Sequence, residues 1–345
     1  MTALPRVSTK RNTMITKAVR LLTALGLAAA LTACAGSKPD ATTGGAAEAG
    51  SSEVTLKIGD QKAGSQVLLT AAGELSGLPY KITWAQFTSG PPLLEAVNAG
   101  GVDLGGVGNT PPIFAAAARS KIAVVAAERQ NVTGQAVLVP SGSAITSPAQ
   151  LKGKRVAVAK GSSAHYHLLA VLKKENLSFK DITVSYLQPA DALAAFTSGR
   201  IDAWAVWDPY TSQARIGNGA KVLIDGNGYV NGYAFQVAGR AALSDAAKAG
   251  AIRDYLARLQ RAKVWANTHQ AEWAKVWAKE TGLPLPVTTA AAANRTTTPV
   301  PVDDTVIASE QEMADAFTAE GLIPGKVAFA DYTDRRFNDI VTKDA

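Results

Sequence analysis

The sequence predicts an α/β protein of two similar lobes facing each other across a cleft, and three observations carry that prediction. Strand and helix patterns alternate along the chain from residue 54 onward. A ten-residue unit recurs at a constant offset of 99. Several helix starts follow directly on strand ends, which is where open parallel-sheet lobes place their ligands.

Residues 1–33 stand apart from this pattern. Arg11, Lys17 and Arg20 precede an apolar run from Leu21 to Leu31 that is too short to span a bilayer, so the segment reads as a cleaved signal peptide. It closes on Leu31-Thr32-Ala33-Cys34, where small residues precede the single cysteine and resemble a bacterial lipobox. In that reading Cys34 is acylated, and residues 34–53, which lack large apolar side chains, are the lipidated cysteine and a flexible tether. The net charge of +7 is largely a property of this leader. Arg6, Lys10, Arg11, Lys17 and Arg20 belong to it, and removing those five from 35 basic residues leaves 30 against 28 acidic ones. A near-neutral body argues against nucleic acid or an acidic membrane surface as partner. One cysteine allows no internal disulfide, so a packed core must hold the fold.

The first element is a short strand, because apolar and polar residues alternate through Val54-Thr55-Leu56-Lys57-Ile58. The repeat follows. Leu94-Glu95-Ala96-Val97-Asn98-Ala99-Gly100-Gly101-Val102-Asp103 is answered by Leu193-Ala194-Ala195-Phe196-Thr197-Ser198-Gly199-Arg200-Ile201-Asp202. Each copy reads as an amphipathic helix, a Gly suited to the left-handed position after it, and a strand opening on an apolar-Asp pair. Val107 and Val206 extend the register to Asn109-Thr110-Pro111 in one copy and Asp208-Pro209-Tyr210 in the other, each a capping residue at or beside a proline. Between the copies, Val156-Ala157-Val158-Ala159 reads as a buried strand and Ala164 to Lys174 as a helix.

Candidate ligand contacts come from helix starts at Gly64-Ser65, Ser89-Gly90-Pro91-Pro92, Asn109-Thr110-Pro111-Pro112, Gly161-Ser162-Ser163 and Pro189-Ala190-Asp191. Unpaired N–H groups and the positive end of the helix dipole make such starts anion sites without any lysine or arginine. Lys160-Gly161-Ser162-Ser163 is the best cradle for a phosphate-like or sulfonate-like group, although it lacks the spacing of a P-loop. Lys160 either assists the anion or lies on the surface. Trp204 and Trp207 line a tail pocket or pack in the core, Trp207 being better placed for ligand at its strand end, while Trp265, Trp273 and Trp277 read as core. His165 and His167 sit at i and i+2 on one helix, off a common face, and His269 is distant, so no metal site or cofactor is indicated. Neither a G-x-S-x-G elbow nor a spare nucleophilic cysteine is present.

Three stretches then point to a family. Gly108-Asn109-Thr110-Pro111-Pro112-Ile113-Phe114, Leu151-Lys152-Gly153-Lys154-Arg155-Val156-Ala157 with Lys160-Gly161-Ser162-Ser163-Ala164-His165, and Pro189-Ala190-Asp191-Ala192 through Asp202-Ala203-Trp204-Ala205-Val206-Trp207-Asp208-Pro209-Tyr210 closely resemble aliphatic sulfonate-binding proteins of ABC importers. Phe87, Gly90-Pro91 and Thr296-Thr297-Thr298 add to the resemblance, which covers about residues 54–330. It implies the nitrate, sulfonate and taurine binding group, with the type II periplasmic-binding fold of two α/β lobes and a hinge. It also implies a sulfonate head at helix starts and an organic tail along the cleft. On that basis Gln61, Gly90, Pro91, Asn109, Thr110, Ser162, Ser163, His165, Trp207 and Asp208 are expected to contact ligand.

The expected protein is a monomeric lipoprotein on the outer face of the cytoplasmic membrane, held there by lipid alone. It captures a small organic sulfonate as a sulfur source, passes it to a permease with its ATPase subunit, and catalyses nothing. Lobe one is expected over 54–139 and 237–345 and lobe two over 140–236, with crossings near Val139-Pro140 and Gln236-Val237. Rival ligands in the same family are taurine, nitrate and a thiamine-precursor pyrimidine. A desulfinase-like enzyme on the same fold needs a cleft cysteine, and Cys34 is already assigned to the anchor. Asp208 reads either as a partner for a cationic tail or as a helix cap, and the cap is the commoner use of Asp beside a helix start.

Overall fold

The computed structural model describes residues 54–62 and 64–343, and the expected signal segment, Cys34 and the tether lie outside the described residues. In chain order the first elements are β1 (Thr55–Gln61), α1 (Ser65–Ala71), β2 (Lys81–Phe87), α2 (Gly90–Asn98), β3 (Leu104–Gly108), α3 (Thr110–Ala117), β4 (Ile122–Gln130) and β5 (Gln135–Val139). Next come β6 (Arg155–Val158), α4 (Ser163–Lys174), β7 (Thr183–Tyr186), α5 (Pro189–Thr197), β8 (Ala203–Trp207), α6 (Tyr210–Asn218), β9 (Lys221–Asp225) and β10 (Tyr233–Gly239). The rest is mostly helical: α7 (Arg240–Ser244), α8 (Ala246–Thr268), α9 (Gln270–Thr281), α10 (Leu285–Ala293), β11 (Thr297–Val300), α11 (Asp304–Ala319) and α12 (Asp339–Lys343).

Two sheets result, with strand orders β2-β1-β3-β10-β4-β11 and β7-β6-β8-β5-β9. In each, three parallel strands are followed by one antiparallel strand, β10 or β5, which also pairs antiparallel with its next neighbour. Apart from the added β11, the second sheet repeats the first. This is the type II periplasmic-binding arrangement of two lobes.

Sheet membership moves the crossings between lobes. Gln135–Val139 pairs within the second sheet and Tyr233–Gly239 within the first. The chain therefore crosses at 131–134 and 226–232, earlier than Val139-Pro140 and Gln236-Val237. Pro140 ends a strand and not a lobe, because each sheet takes its antiparallel strand directly after a crossing.

The repeat occupies matching places, α2–β3 in one lobe and α5–β8 in the other. Gly100 and Gly199 have φ of 77° and 70°, the left-handed conformation that glycine adopts without steric cost. Asp103 and Asp202 then do one job. The Asp103 carboxylate accepts the Lys57 N–H at 2.9 Å, and its own N–H donates to the Lys57 carbonyl at 2.8 Å. Asp202 makes the same pair of bonds to Arg155, both 2.8 Å. Each aspartate thereby ties its strand to the neighbouring parallel strand, and each also carries an ion pair, with Lys248 or Arg155.

Both sheets are buried on both faces. Along β4, Ile122 and Val124 pack with α2, α3 and α11, while Ala123 and Val125 pack with α7 and α8. In the second sheet Val137, Val156 and Ala205 face α4, and Leu138, Ala157 and Trp204 face α5 and α6.

Among the contacts that join the lobes, three bear on the site. The Gln188 side-chain carbonyl accepts from the hydroxyls of Thr88 and Ser89 at 3.0 and 2.9 Å. Ser89 and Gln188 are the N-caps of α2 and α5, so counterpart positions of the repeat meet. On the other side Asn294 donates to Asp208 at 2.9 Å. The third contact is aromatic. His165 of α4 lies 5.7 and 5.3 Å from the rings of Phe114 and Phe317 in lobe one, and 5.0 and 5.5 Å from those of Phe179 and Tyr186 in lobe two.

Burial holds the His165 imidazolium down to a pKa of about 3, with Lys160 adding to the effect, and burial lowers His167 to about 4. The unfolded chain takes up these protons near pH 6.5 and the folded chain does not, so acid favours unfolding. Stability is therefore expected to fall as pH drops from about 6.5 towards 3, by up to about 1.4 kcal/mol per pH unit for each histidine. His165→Phe should remove one proton's share of that slope. Denaturant titrations at pH 7, 5.5 and 4.5 check this, and equal slopes in both proteins would contradict it.

Candidate functional site

Between the lobes lies a cleft of about 200 Å³, at the carboxyl ends of β1, β3, β6 and β8. Of the expected ligand residues, Gln61, Gly90, Asn109, Ser162, Ser163, Trp207 and Asp208 line it. Pro91, Thr110 and His165 do not.

The five helix starts differ in what they can offer. At α1 the site is already filled, since the Asp60 carboxylate accepts from the N–H groups of Gln61, Ser65 and Gln66 at 2.8 to 2.9 Å. Burial raises the Asp60 pKa while those donors pull it back. At α2 and α3 a Pro-Pro pair follows Gly90 and Thr110, so two of the first three helical residues have no N–H to give. The α5 start makes the Gln188 contact and does not line the cleft.

The α4 start remains open. As its first residues, Ser163 and Ala164 have no preceding turn to satisfy their N–H groups. No described residue pairs with the Ser163 hydroxyl, which faces Gly108 of the other lobe so closely that a Cβ there would lie 3.0 Å away. The Ser162 hydroxyl is spent on the Ala159 carbonyl at 2.7 Å. Strand register explains the contrast between α1 and α4. Ile58 pairs with Leu104 as Val156 pairs with Ala203, so Val158 is the counterpart of Asp60 and places no carboxylate at α4.

His165 is fully buried, contrary to the expected ligand contact. Two residues beyond Ser163 it is turned about 200° around the helix, away from the cleft. Its Nδ1 accepts the Gly161 N–H at 3.2 Å, and Gly161 has φ 73°. His165 thus holds the turn that presents Ser162 and Ser163. Pro91 packs against that same turn, 3.4 Å from where a Gly161 Cβ would be. Lys160 lies over the Tyr186 ring, outside the cleft.

On the facing wall, Thr110 is buried and its hydroxyl donates to Asn109 Oδ1 at 3.1 Å. Asn109 Nδ2 donates to Asn231 Oδ1 at 2.7 Å, and Asn231 Nδ2 donates to Glu310 at 2.8 Å. Complete burial holds the Glu310 carboxyl well above the ordinary range. A chain of amides running back to a buried acid therefore fixes the orientation of Asn109. Asp208 is a cap, its Oδ1 accepting the Ser212 N–H at 2.8 Å while Oδ2 takes the Asn294 amide. Trp207 lines the cleft and Trp204 is core.

Charged cleft residues went unread in the sequence: Lys62, Glu128, Lys263 and Arg295, with Gln236 and Asn294 beside them. They lie after β1, within β4 and β10, on α8 and just after α10, far apart in sequence and with no shared motif. Trp273, read as core, is buried and also lines the cleft. Among the described residues no group of three or more His, Cys, Asp or Glu side chains is placed to hold a metal.

Comparison with known proteins agrees with this geometry. Residues 88–272 match the NMT1/THI5-like family. An Escherichia coli (strain K12) protein named for binding aliphatic sulfonates is 40% identical over 287 residues, covering 82% of this chain and 89% of its own. The alkanesulfonate-binding protein SsuA from Xanthomonas axonopodis pv. citri, solved bound to MOPS, superposes with a TM-score of 0.78 at 39% identity, over 83% of this chain and 100% of that one. The desulfurization enzyme DSZB, at 16% identity and a TM-score of 0.61 over 85% of this chain and 100% of its own, shares the fold alone. With such identity across most of both partners, the chain belongs to the NMT1/THI5-like family, in the company of aliphatic sulfonate-binding proteins.

Proposed function

We propose that this chain is the extracytoplasmic binding lipoprotein of an ABC importer, capturing aliphatic sulfonates as a sulfur source and handing them to a permease and its ATPase. It acts as a monomer, anchored through lipid on Cys34, and catalyses nothing. The observation that carries the reading is the open α4 start facing the cleft with unspent N–H groups and the Ser163 hydroxyl, an arrangement suited to a tetrahedral oxyanion. The E. coli relative is named for aliphatic sulfonates, and the Xanthomonas relative was solved with MOPS, itself a propanesulfonate.

In this reading the head sits between the α4 start and the wall of Gly90 and Asn109, with Gln61 bracing that wall through its bond to the Gly106 carbonyl at 2.9 Å. The tail runs along Trp207 and Trp273. Residues 131–134 and 226–232 serve as the hinge, and ligand favours the closed arrangement. Asp208 serves as a helix cap, its oxygens accepting from Ser212 and Asn294, so the ranking of taurine against a plain alkanesulfonate does not rest on it. Nothing in the cleft favours nitrate or a pyrimidine over a sulfonate.

Thermal unfolding with ligand tests the reading. Ethanesulfonate at a hundredfold excess over Kd should add about 2.7 kcal/mol and raise the Tm by several degrees, with nitrate and pyrimidines producing no shift. The opposite ranking would overturn it. By calorimetry, Ser163→Ala should weaken sulfonate binding about tenfold to hundredfold, whereas Ser162→Ala and Thr110→Ala should change it far less because their hydroxyls already have partners. Equal losses in all three would remove the α4 hydroxyl from the site. For the anchor, cells fed a palmitate analogue should label the wild type and not Cys34→Ala, and a labelled mutant would refute it.

A further inference from the structure

At the back of the cleft Gln236 is 7% exposed, and its buried side-chain oxygen Oε1 makes no hydrogen bond to any described residue. A buried amide oxygen without a partner is costly, so such a group in a native fold points to something missing. The strand is shaped around it. Gln236 of β10 lies opposite Gly106 of β3, where a Cβ would come within 2.8 Å of its Nε2. A register shift between Gln236 and Val237 breaks the pairing with β4, and such bulges re-aim side chains beside sites.

Behind this point is a second cavity of about 40 Å³, sharing Glu128, Ala234, Phe235, Gln236, Leu259 and Lys263 with the main cleft. Glu128 and Lys263 are largely buried and form an ion pair, and Gln130 donates to Glu128 at 2.7 Å. Each member cancels the other's charge. The floor thus offers donors and acceptors at no net charge, set among Ala234, Phe235 and Leu259. Plain hydrocarbon would leave Gln236 unsatisfied, and a charged group would find no free counter-charge.

We propose that Gln236, with the Glu128–Lys263 pair, forms a tail-end subsite that selects sulfonates whose organic tail carries an uncharged hydrogen-bond donor, such as a hydroxyl. The proposal rests on the sulfonate reading above and narrows its substrate class. The tail's far end, not its head, makes the selective contact.

Calorimetry with matched pairs tests it: 2-hydroxyethane-, 3-hydroxypropane- and 4-hydroxybutanesulfonate against propane-, butane- and pentanesulfonate. An apolar tail pocket penalises the hydroxyl, whereas this floor should favour it about tenfold at the chain length that reaches it. Gln236→Leu and Gln236→Met should abolish or reverse the preference. Their ligand-free melting temperatures should equal or exceed that of the wild type, because an unsatisfied buried amide oxygen is removed, and these also report folding. Methanesulfonate, which has no tail, reads the head alone. If it binds and no hydroxyl preference exists at any length, or if the preference survives in both variants, the subsite is overturned and the sulfonate reading stands. If no sulfonate binds, both fall.

Discussion

The site depends on strand register, and register is held by two aspartates. Asp103 and Asp202 each close a reciprocal pair of hydrogen bonds onto the neighbouring parallel strand, at Lys57 and Arg155. A one-residue slip in a parallel pair would turn every inward side chain outward and shift each strand end by more than 3 Å. The loops after β1, β3, β6 and β8 would then no longer converge. Both carboxylates act on backbone N–H groups, so the clamp does not rely on the exposed ion pair at Arg155.

The repeated unit, the alternation of strand and helix, and the Gly-Ser-Ser start of α4 are all legible in the sequence, because each is written in a short run of consecutive residues. The crossings are not. Pro140 is a strong local stop, and a strand that ends there can belong to either sheet. His165 and Thr110 carry the resemblance and still turn away from the cleft, since a motif marks a turn and its supports together with its contacts. The Glu128–Lys263 pair and Gln236 left no trace in the sequence, being joined only by tertiary folding across more than a hundred positions.

Counterpart elements of the two lobes have been used differently. The starts of α1 and α4 are counterparts, and an exchange in the preceding strand separates them, Asp60 in one and Val158 in the other. One lobe supplies its own anion and is finished at folding. The other keeps its donors unsatisfied, a local cost that bound ligand can offset. The facing wall follows the same division, because its proline pairs strip donors and leave shape and Asn109 as its contribution.

The meeting of Ser89 with Gln188 bears on the symmetry of the two lobes. A contact between two positions that correspond under an internal repeat lies on the axis that exchanges the copies, as an isologous contact does in a two-fold dimer. Ser and Gln occupy these counterpart positions as unlike partners, so the two halves share a fold at this contact and differ in chemistry.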